Sequence, residues 1–399
     1  MAGKKKKLFI ETQMKKKPRK QLGQQTALRI HEWLPDEMLF DILKQLPEKS
    51  LMRFMCVSKS WCSLISDPKL ITNTQKLMLL TWTSMQTMDY QAYEGKAEKV
   101  QCDLLNGRKR FRILGSCNGL VYIATCLSDD FFIWNPLTGE SKKVPTWHGW
   151  GSTPVGFGYD HSTGDYKIVC YPTHGSIYSM KMGSWKRLEN NVYSNSELRY
   201  GYGNYLGTPV NNALYWYASY NGRLLSTQEN SCVIFHNDER GNTWRQVIFR
   251  FNLVDETSVL LLPPPGTEST GTKSEIVLME FKGSLCLIQN RMGSCIEMWV
   301  LVEMNCVSKL KWIKLMTVPH LEKLSEKRFL APIYFSRNGE VLLNVREEDE
   351  KHAGYAVSKR TSMLYSYNPT QKTLKRVKVH GTKYWSSEIT YSASQVSLN

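Results

Sequence analysis

The sequence predicts a multidomain α + all-β protein: a small three-helix unit near the amino terminus, followed by a β-propeller of six blades, with seven as the alternative. Three observations lead there. Between Leu34 and Pro68 apolar residues recur at helical spacing, and prolines cut the pattern into short lengths. From residue 111 onward the pattern changes to short apolar or alternating runs separated by turn sequences. Those runs fall into sets of four that recur about every 45 residues, the period of a propeller blade.

The helical segment reads in order. Met38, Leu39, Ile42, Leu43 and Leu46 form an apolar stripe, Pro35 suits the first helical position, and Asp36 and Glu37 favour the amino-terminal dipole. Pro47 closes this helix. A second helix is expected over Lys49 to Cys56, and a third from a cap at Ser58 through Trp61, Leu64 and Ile65 until Asp67-Pro68 stops it.

The β region is spelled by GLVYIAT, FFIWN, YKIVCY, SIYSM, ALYWYA, CVIFH, IVLMEF, SLCLIQ, EMWVLV, VLLNV and MLYSY, with turns such as CNG, NPLTG, HSTGD, KGS and RNG between them. Five groups are expected over about 111–145, 154–190, 205–262, 274–317 and 329–380. The terminal run SSEITYSAS then needs partners, which KLMLLTW (76–82) and KVQCDLL (99–105) can supply as a composite closing blade.

The formal net charge of +16 is unevenly placed: residues 1–30 hold ten Lys/Arg against Glu11 alone, which contributes +9 and leaves +7 for the rest. Too poor in large apolar residues to offset its ordering entropy, this segment is expected to be a disordered basic tail. Its clusters at Lys4–Lys7 and Lys15–Lys20 suit either a nuclear import signal or a solubilising, weakly nucleic-acid-binding arm. The domain boundaries that follow are 1–30 for the tail, 31–75 for the helical unit, 76–110 for a connecting segment that can join the closing blade, and 111–395 for the propeller.

No run of about 18 apolar residues is long enough to span a bilayer, and no amino-terminal apolar core suits a signal peptide, so no membrane partner is expected. Ten cysteines without a CxxC pair and eight histidines without an HxxxH predict structural thiols and no metal or cofactor. There is no GxSxG and no P-loop, so the chain is not expected to be an enzyme.

Residues 33–71 contain 20 hydrophobic residues out of 39, more than so small a unit can enclose. Either the β domain covers the surplus or a separate partner packs helices against it. The spelling favours the partner: LPDEMLFDILKQLPEKSLMRFMCVSKSWCSLISDPKL closely resembles the F-box, with its opening LP, IL-x-x-LP, KSL-x-RF, V-x-K-x-W and LISDP. The remainder resembles the plant F-box-associated, kelch-like domain, because GSCNGLVYIA, WNPLTGESKKVP, GFGYDHSTGDYKIVCY, GSLCLI, EMWV and SSEITYSAS fall in that family's order. The lysine clusters and the lack of a signal or spanning segment lead to an expected location in nucleus and cytoplasm. The resemblance implies a substrate receptor of a Skp-cullin-F-box ubiquitin ligase. Its implied partners are a Skp-type adaptor, cullin and RING subunits through it, and an unknown protein substrate. It also implies an adaptor-facing surface of Leu34, Pro35, Ile42, Leu43, Leu46, Pro47, Leu51, Val57 and Trp61. A non-degradative propeller scaffold and a nuclear nucleic-acid-binding protein using the basic tail remain the other readings.

Strand parity locates a substrate face. In a four-strand blade the first-to-second and third-to-fourth turns share one end, and the second-to-third turns and interblade links share the other. The long segments 146–153, 191–204, 219–231, 263–273 and 346–360 all fall in the second set, and Trp147, Trp150, Arg199, Tyr200 and Tyr202 on them are of the types that dominate interfaces. The alternative is that these aromatics pack over blade rims.

Overall fold

A computed structural model divides the chain between residues 73 and 74 into a helical and a β unit. It describes most of residues 35–66 and 75–398. Outside the described residues lie 1–34, 47–49, 67–74, 90–93, 101–110, 126–129, 147–153, 172–174, 189–197, 201–204, 222–243, 268–273, 305–308, 320–327, 336–338 and 348–360, with a few single positions and pairs. The expected basic tail and the run CVIFH (232–236) fall there.

In the helical unit α1 spans Asp36–Lys44 and α2 spans Lys59–Ser66. The Pro35 carbonyl accepts the first bond of α1 from Leu39 N at 3.0 Å, and Ser58 Oγ caps α2 by accepting from Trp61 N at 3.1 Å. The helix expected over Lys49 to Cys56 lies partly outside the described residues, of which Ser50, Arg53 and Phe54 are helical. Leu39, Leu43 and Ile65 form the buried cluster, with Phe54 and Trp61 meeting edge to face at 5.6 Å beside it.

The described residues of the β unit form four sheets of four or five strands in a propeller-like arrangement, and a fifth sheet of nine. One group is the antiparallel set β5 (Phe111–Cys117), β6 (Leu120–Thr125), β7 (Phe131–Trp134) and β8 (Ser141–Val144). The nine-stranded sheet holds β9 (Val155–Asp160), β10 (Asp165–Cys170), β11 (Ser176–Ser179) and β12 (Ser184–Arg187). It continues through β14 (Leu206–Val210), β15 (Ala213–Tyr220), β16 (Arg245–Asn252) and β17 (Ser258–Leu261), with β13 (Leu198–Arg199) on β15. Its halves join where β9 and β14 pair in parallel, Val155 with Leu206 and Gly156 with Gly207. A Cβ at either glycine would fall 2.6–2.7 Å from the Trp216 ring, so only glycine lets the two strands meet over that indole. Gly207 is therefore a packing position in a strand.

The next sheets are β18 (Ser274–Phe281), β19 (Ser284–Arg291), β20 (Cys295–Met304) and β21 (Lys309–Pro319), then β22 (Arg328–Phe335), β23 (Val341–Glu347), β24 (Thr361–Asn368) and β25 (Thr373–His380). In the last sheet both chain ends of the β unit meet: β26 (Ser387–Ser392) pairs with β1 (Gln75–Leu80), which pairs with β2 (Met85–Asp89), which pairs with β4 (Glu98–Lys99). The expected closing blade holds β26 and β1 side by side and includes Lys99 in β4, while 101–105 lie outside the described residues. Between β1 and β4 stands β2, which sequence reasoning did not mark, because its buried residues Met85 and Met88 stand three apart, not two. The short β3 (Glu94–Lys96) leaves this region to pair in parallel with the end of β25.

Each buried cluster of the β unit draws on two neighbouring groups, and alternation along single strands divides the side chains between them. Along β1, Leu77 and Leu79 join the β22–β25 group, whereas Met78 and Leu80 join the β5–β8 group. Past β26 the chain continues as a strap. Val396 and Leu398 are buried among β5–β11 side chains, beyond the expected domain end at 395.

Candidate functional site

The helical unit divides its stripe between two faces. Leu39 and Leu43 turn inward, while Met38 and Ile42, each one residue earlier, stand 56% and 47% exposed, with Val57 41% exposed. Among the residues expected to face the adaptor, Ile42, Val57 and Pro35 are exposed, Leu46 and Trp61 are half-buried against the unit's own cluster, and Leu34, Pro47 and Leu51 lie outside the described residues. Leu43 is a correction: it is fully buried in the cluster, since a residue one position on is turned by about 100° around the helix. Met38 is the residue the sequence reading leaves out of that set, although its i, i+4 spacing to Ile42 signals it.

The β unit has tight turns at one end of its strand order. β5 and β6 join through Asn118-Gly119 and β18 and β19 through Lys282-Gly283, all four with positive φ, as a two-residue hairpin turn requires. The other set of connections holds the long segments: 145–154 between β8 and β9, 221–244 between β15 and β16, 262–273 between β17 and β18 and 348–360 between β23 and β24. Trp147, Trp150 and Tyr202 lie outside the described residues. Arg199 pairs through β13 with Ser219 near the end of β15, and its guanidinium stands 4.0 Å from the Trp244 ring centroid. The Tyr200 ring packs against the cluster shared by β10, β15 and β16, and burial pushes its hydroxyl pKa up. Trp244 joins the site without having been singled out, because it precedes β16 by a single residue and reads as strand patterning.

Several ionisable groups of the β unit tie its strands together. Burial drives the Asp160 carboxyl up, but Ser162, Lys167 and Thr163 outweigh it and hold its pKa well below the usual carboxylate range. Lys167 Nζ bridges Asp160 at 2.9 Å and the Leu253 carbonyl at 2.7 Å, tying the β9–β10 turn to the chain after β16. Cys117, Cys170 and Cys286 have thiols pushed up to about 12 by burial, so they stay protonated. Among the described residues no cluster of His, Cys, Asp and Glu could hold a metal ion.

Residues 71–398 match the F-box associated beta propeller domain family. The chain belongs to that family. Residues 32–73 match the F-box domain, so the helical unit is an F-box. An F-box/kelch-repeat protein of Arabidopsis thaliana is 26% identical over 345 residues, covering 78% of this chain and 85% of that protein. The F-box protein CPR1 of the same plant is 23% identical over 346 residues, covering 78% and 79%. A further Arabidopsis F-box protein is 22% identical over 392 residues and covers 91% of both chains. An F-box joined to an F-box-associated propeller domain has the make-up of a substrate-recognition adaptor of Skp-cullin-F-box ligases.

Proposed function

We propose that this chain is the substrate-recognition subunit of a Skp-cullin-F-box ubiquitin ligase, binding a Skp-type adaptor through the helical unit and a target protein through the β unit, which is then ubiquitinated and degraded. The observation that carries this reading is the exposure of Met38, Ile42 and Val57 within the segment that matches the F-box. An apolar face left in water is what a helical partner would desolvate, and single anchors in such patches are worth about 2 kcal/mol or more. The chain's work is then positional: it holds a target lysine near a conjugating enzyme carried by other subunits, so the gain is one of proximity.

We infer six blades from the strand order: β26-β1-β2-β4, then β5–β8, β9–β12, β14–β17, β18–β21 and β22–β25, with the nine-stranded sheet being two blades joined along β9 and β14. The six interblade clusters support that count. Target recognition is assigned to the long-segment end, with Trp147, Trp150, Arg199 and Tyr202, and with Trp244 as the ring that fixes Arg199. The lysine clusters of the tail are assigned to import, giving a nuclear and cytoplasmic distribution. Co-purification with a Skp-type adaptor tests the central reading: Ile42→Glu with Val57→Glu should abolish it while leaving β-unit melting unchanged. Retained adaptor would remove the F-box role. Target half-life with and without proteasome inhibition separates a degradative receptor from a scaffold.

A further inference from the structure

The outermost strands of the β unit carry its positive charge. β8, β12, β21 and β25 together hold ten Lys/Arg and no Asp or Glu, more than the +7 carried by residues 31–399 as a whole. Lysine on an outer strand has an ordinary use, since it keeps a sheet edge from pairing with another chain. Several of these cations are also engaged within the unit: Lys143 bridges Asp130 at 2.7 Å, Lys186 bridges Glu256 at 2.9 Å and Lys314 bridges Glu297 at 2.6 Å. Lys311 and Arg376 are exposed and, like Arg187, have no carboxylate partner among the described residues.

Register puts Lys311 and Arg376 on facing walls. Along β20, Ile296, Met298 and Val300 pack into the cluster shared by the β18–β21 and β22–β25 groups, and opposite them on β21 stand Val318, Met316 and Ile313. Lys311, two residues before Ile313, shares that face. On β25, Leu374 and Arg376 are opposite Tyr367 and Tyr365 of the same cluster. Ile313 and Arg376 both lie in the third row from the first hairpin turn of their sheets, the rows that begin with Met279 opposite Cys286 and Pro332 opposite Leu343. β21 and β25 belong to separate sheets, and Ile313 stays 47% exposed beyond the cluster. The space between the two strands is thus a groove with half-buried Met316 and Leu374 in its floor and a cation on each wall. We propose that this groove docks an acidic segment of a partner protein through side chains: carboxylates meet Lys311 and Arg376, and a large apolar residue between them covers Ile313. A second copy of this chain would bring cation against cation, and a nucleic-acid backbone offers nothing to cover Ile313. The groove lies on the rim, apart from the long-segment end to which target recognition is assigned, and its use needs no adaptor.

The test uses the full chain and three fluorescent ten-residue probes: one in which Glu residues flank a central Leu, one with Lys in place of the Glu, and one with Ser in place of the Leu. The first should bind, more weakly as salt rises; the second should not bind, and the third should bind several-fold more weakly. Lys311→Glu with Arg376→Glu should weaken the first probe about tenfold or more at unchanged melting temperature. The same pair should make the lysine probe bind, which a loss of structure would not do. Ile313→Ser, with charge unchanged, should weaken the first probe several-fold. Arg187→Glu, a reversal at an outer-strand cation away from the groove, should leave binding as it was. Equal binding of the serine probe, a matching loss in Arg187→Glu, or tighter binding of a single-stranded oligonucleotide than of the first probe would each overturn the proposal. Adaptor co-purification should be the same for all these variants, which keeps failure here distinct from failure of the receptor reading.

Discussion

Ile42 in α1 is 47% exposed, whereas Leu77, in the first strand of the β unit, is fully buried, and the contrast extends along both segments. Among its described residues the helical unit holds three buried apolar residues in its cluster and leaves Met38, Ile42 and Val57 in solvent. The β unit encloses six clusters and also draws polar groups inside, some of them held from a distant part of the chain: Asn135 Nδ2 donates to the Ser394 and Val396 carbonyls at 3.1 and 2.8 Å. Self-sufficiency and incompleteness are thus divided between the two units. Removing a side chain should cost stability in one and association in the other.

The largest effect on stability should come from ending the chain after Lys383. That removes β26 together with the buried residues Trp385, Tyr391, Val396 and Leu398, and it strips β1 of one of its two partner strands. The β unit should lose its cooperative thermal transition in near-ultraviolet circular dichroism; a normal transition would show that the closing sheet is dispensable. Next, Lys167→Met leaves the Asp160 carboxylate buried without its cation and should destabilise by about 3–5 kcal/mol in urea unfolding. In the unmutated chain the depressed Asp160 pKa adds stability that is fully present above the ordinary carboxylate value and is lost as pH falls toward its lower folded value. Unfolding midpoints measured from pH 6 down to pH 2 should therefore fall, less steeply when Asp160 is replaced by Asn.

A smaller loss, about 2–3 kcal/mol, is expected for Asn135→Ala, which leaves two carbonyls of the strap without their donor and the Leu137 and Thr138 amides without their turn acceptor. Smallest of all, Ile42→Glu should change stability by less than about 0.5 kcal/mol, as exposed substitutions do, while adaptor binding is lost. A destabilisation as large as that of Asn135→Ala would show that Ile42 belongs to a core and would erase the contrast.

Much of this was legible in the residues. Helix stripes and the Ser58 cap follow from local chemistry, and β5–β12 and β18–β21 announce themselves through alternating runs and Asn-Gly or Lys-Gly turns. What escaped depends on partners far away in sequence. β2 and β3 are short and polar, and they are strands only because β1 and β25 lie beside them. Asn135-Pro136 reads as a turn, and its Oδ1 does accept from Leu137 N at 2.9 Å; nothing local says that its amide also holds residues 394 and 396. On the helical unit the spacing found the stripe but not which half of it faces out, because Leu39 and Leu43 differ from Met38 and Ile42 by one step of helix rotation.

The pairing of β26 with β1 also sets a timetable for biosynthesis. Leu80 is opposite Ser387 in the ladder, so the first strand must wait for the last. At a synthesis rate of about 5–20 residues per second the intervening chain takes about 15–60 s to emerge. For that interval Leu77, Met78, Leu79 and Leu80, all buried in the finished protein, have no β26 to pair with. A nascent chain of this design keeps those side chains without their strand partner, and its ring can close only once β26 has left the ribosome.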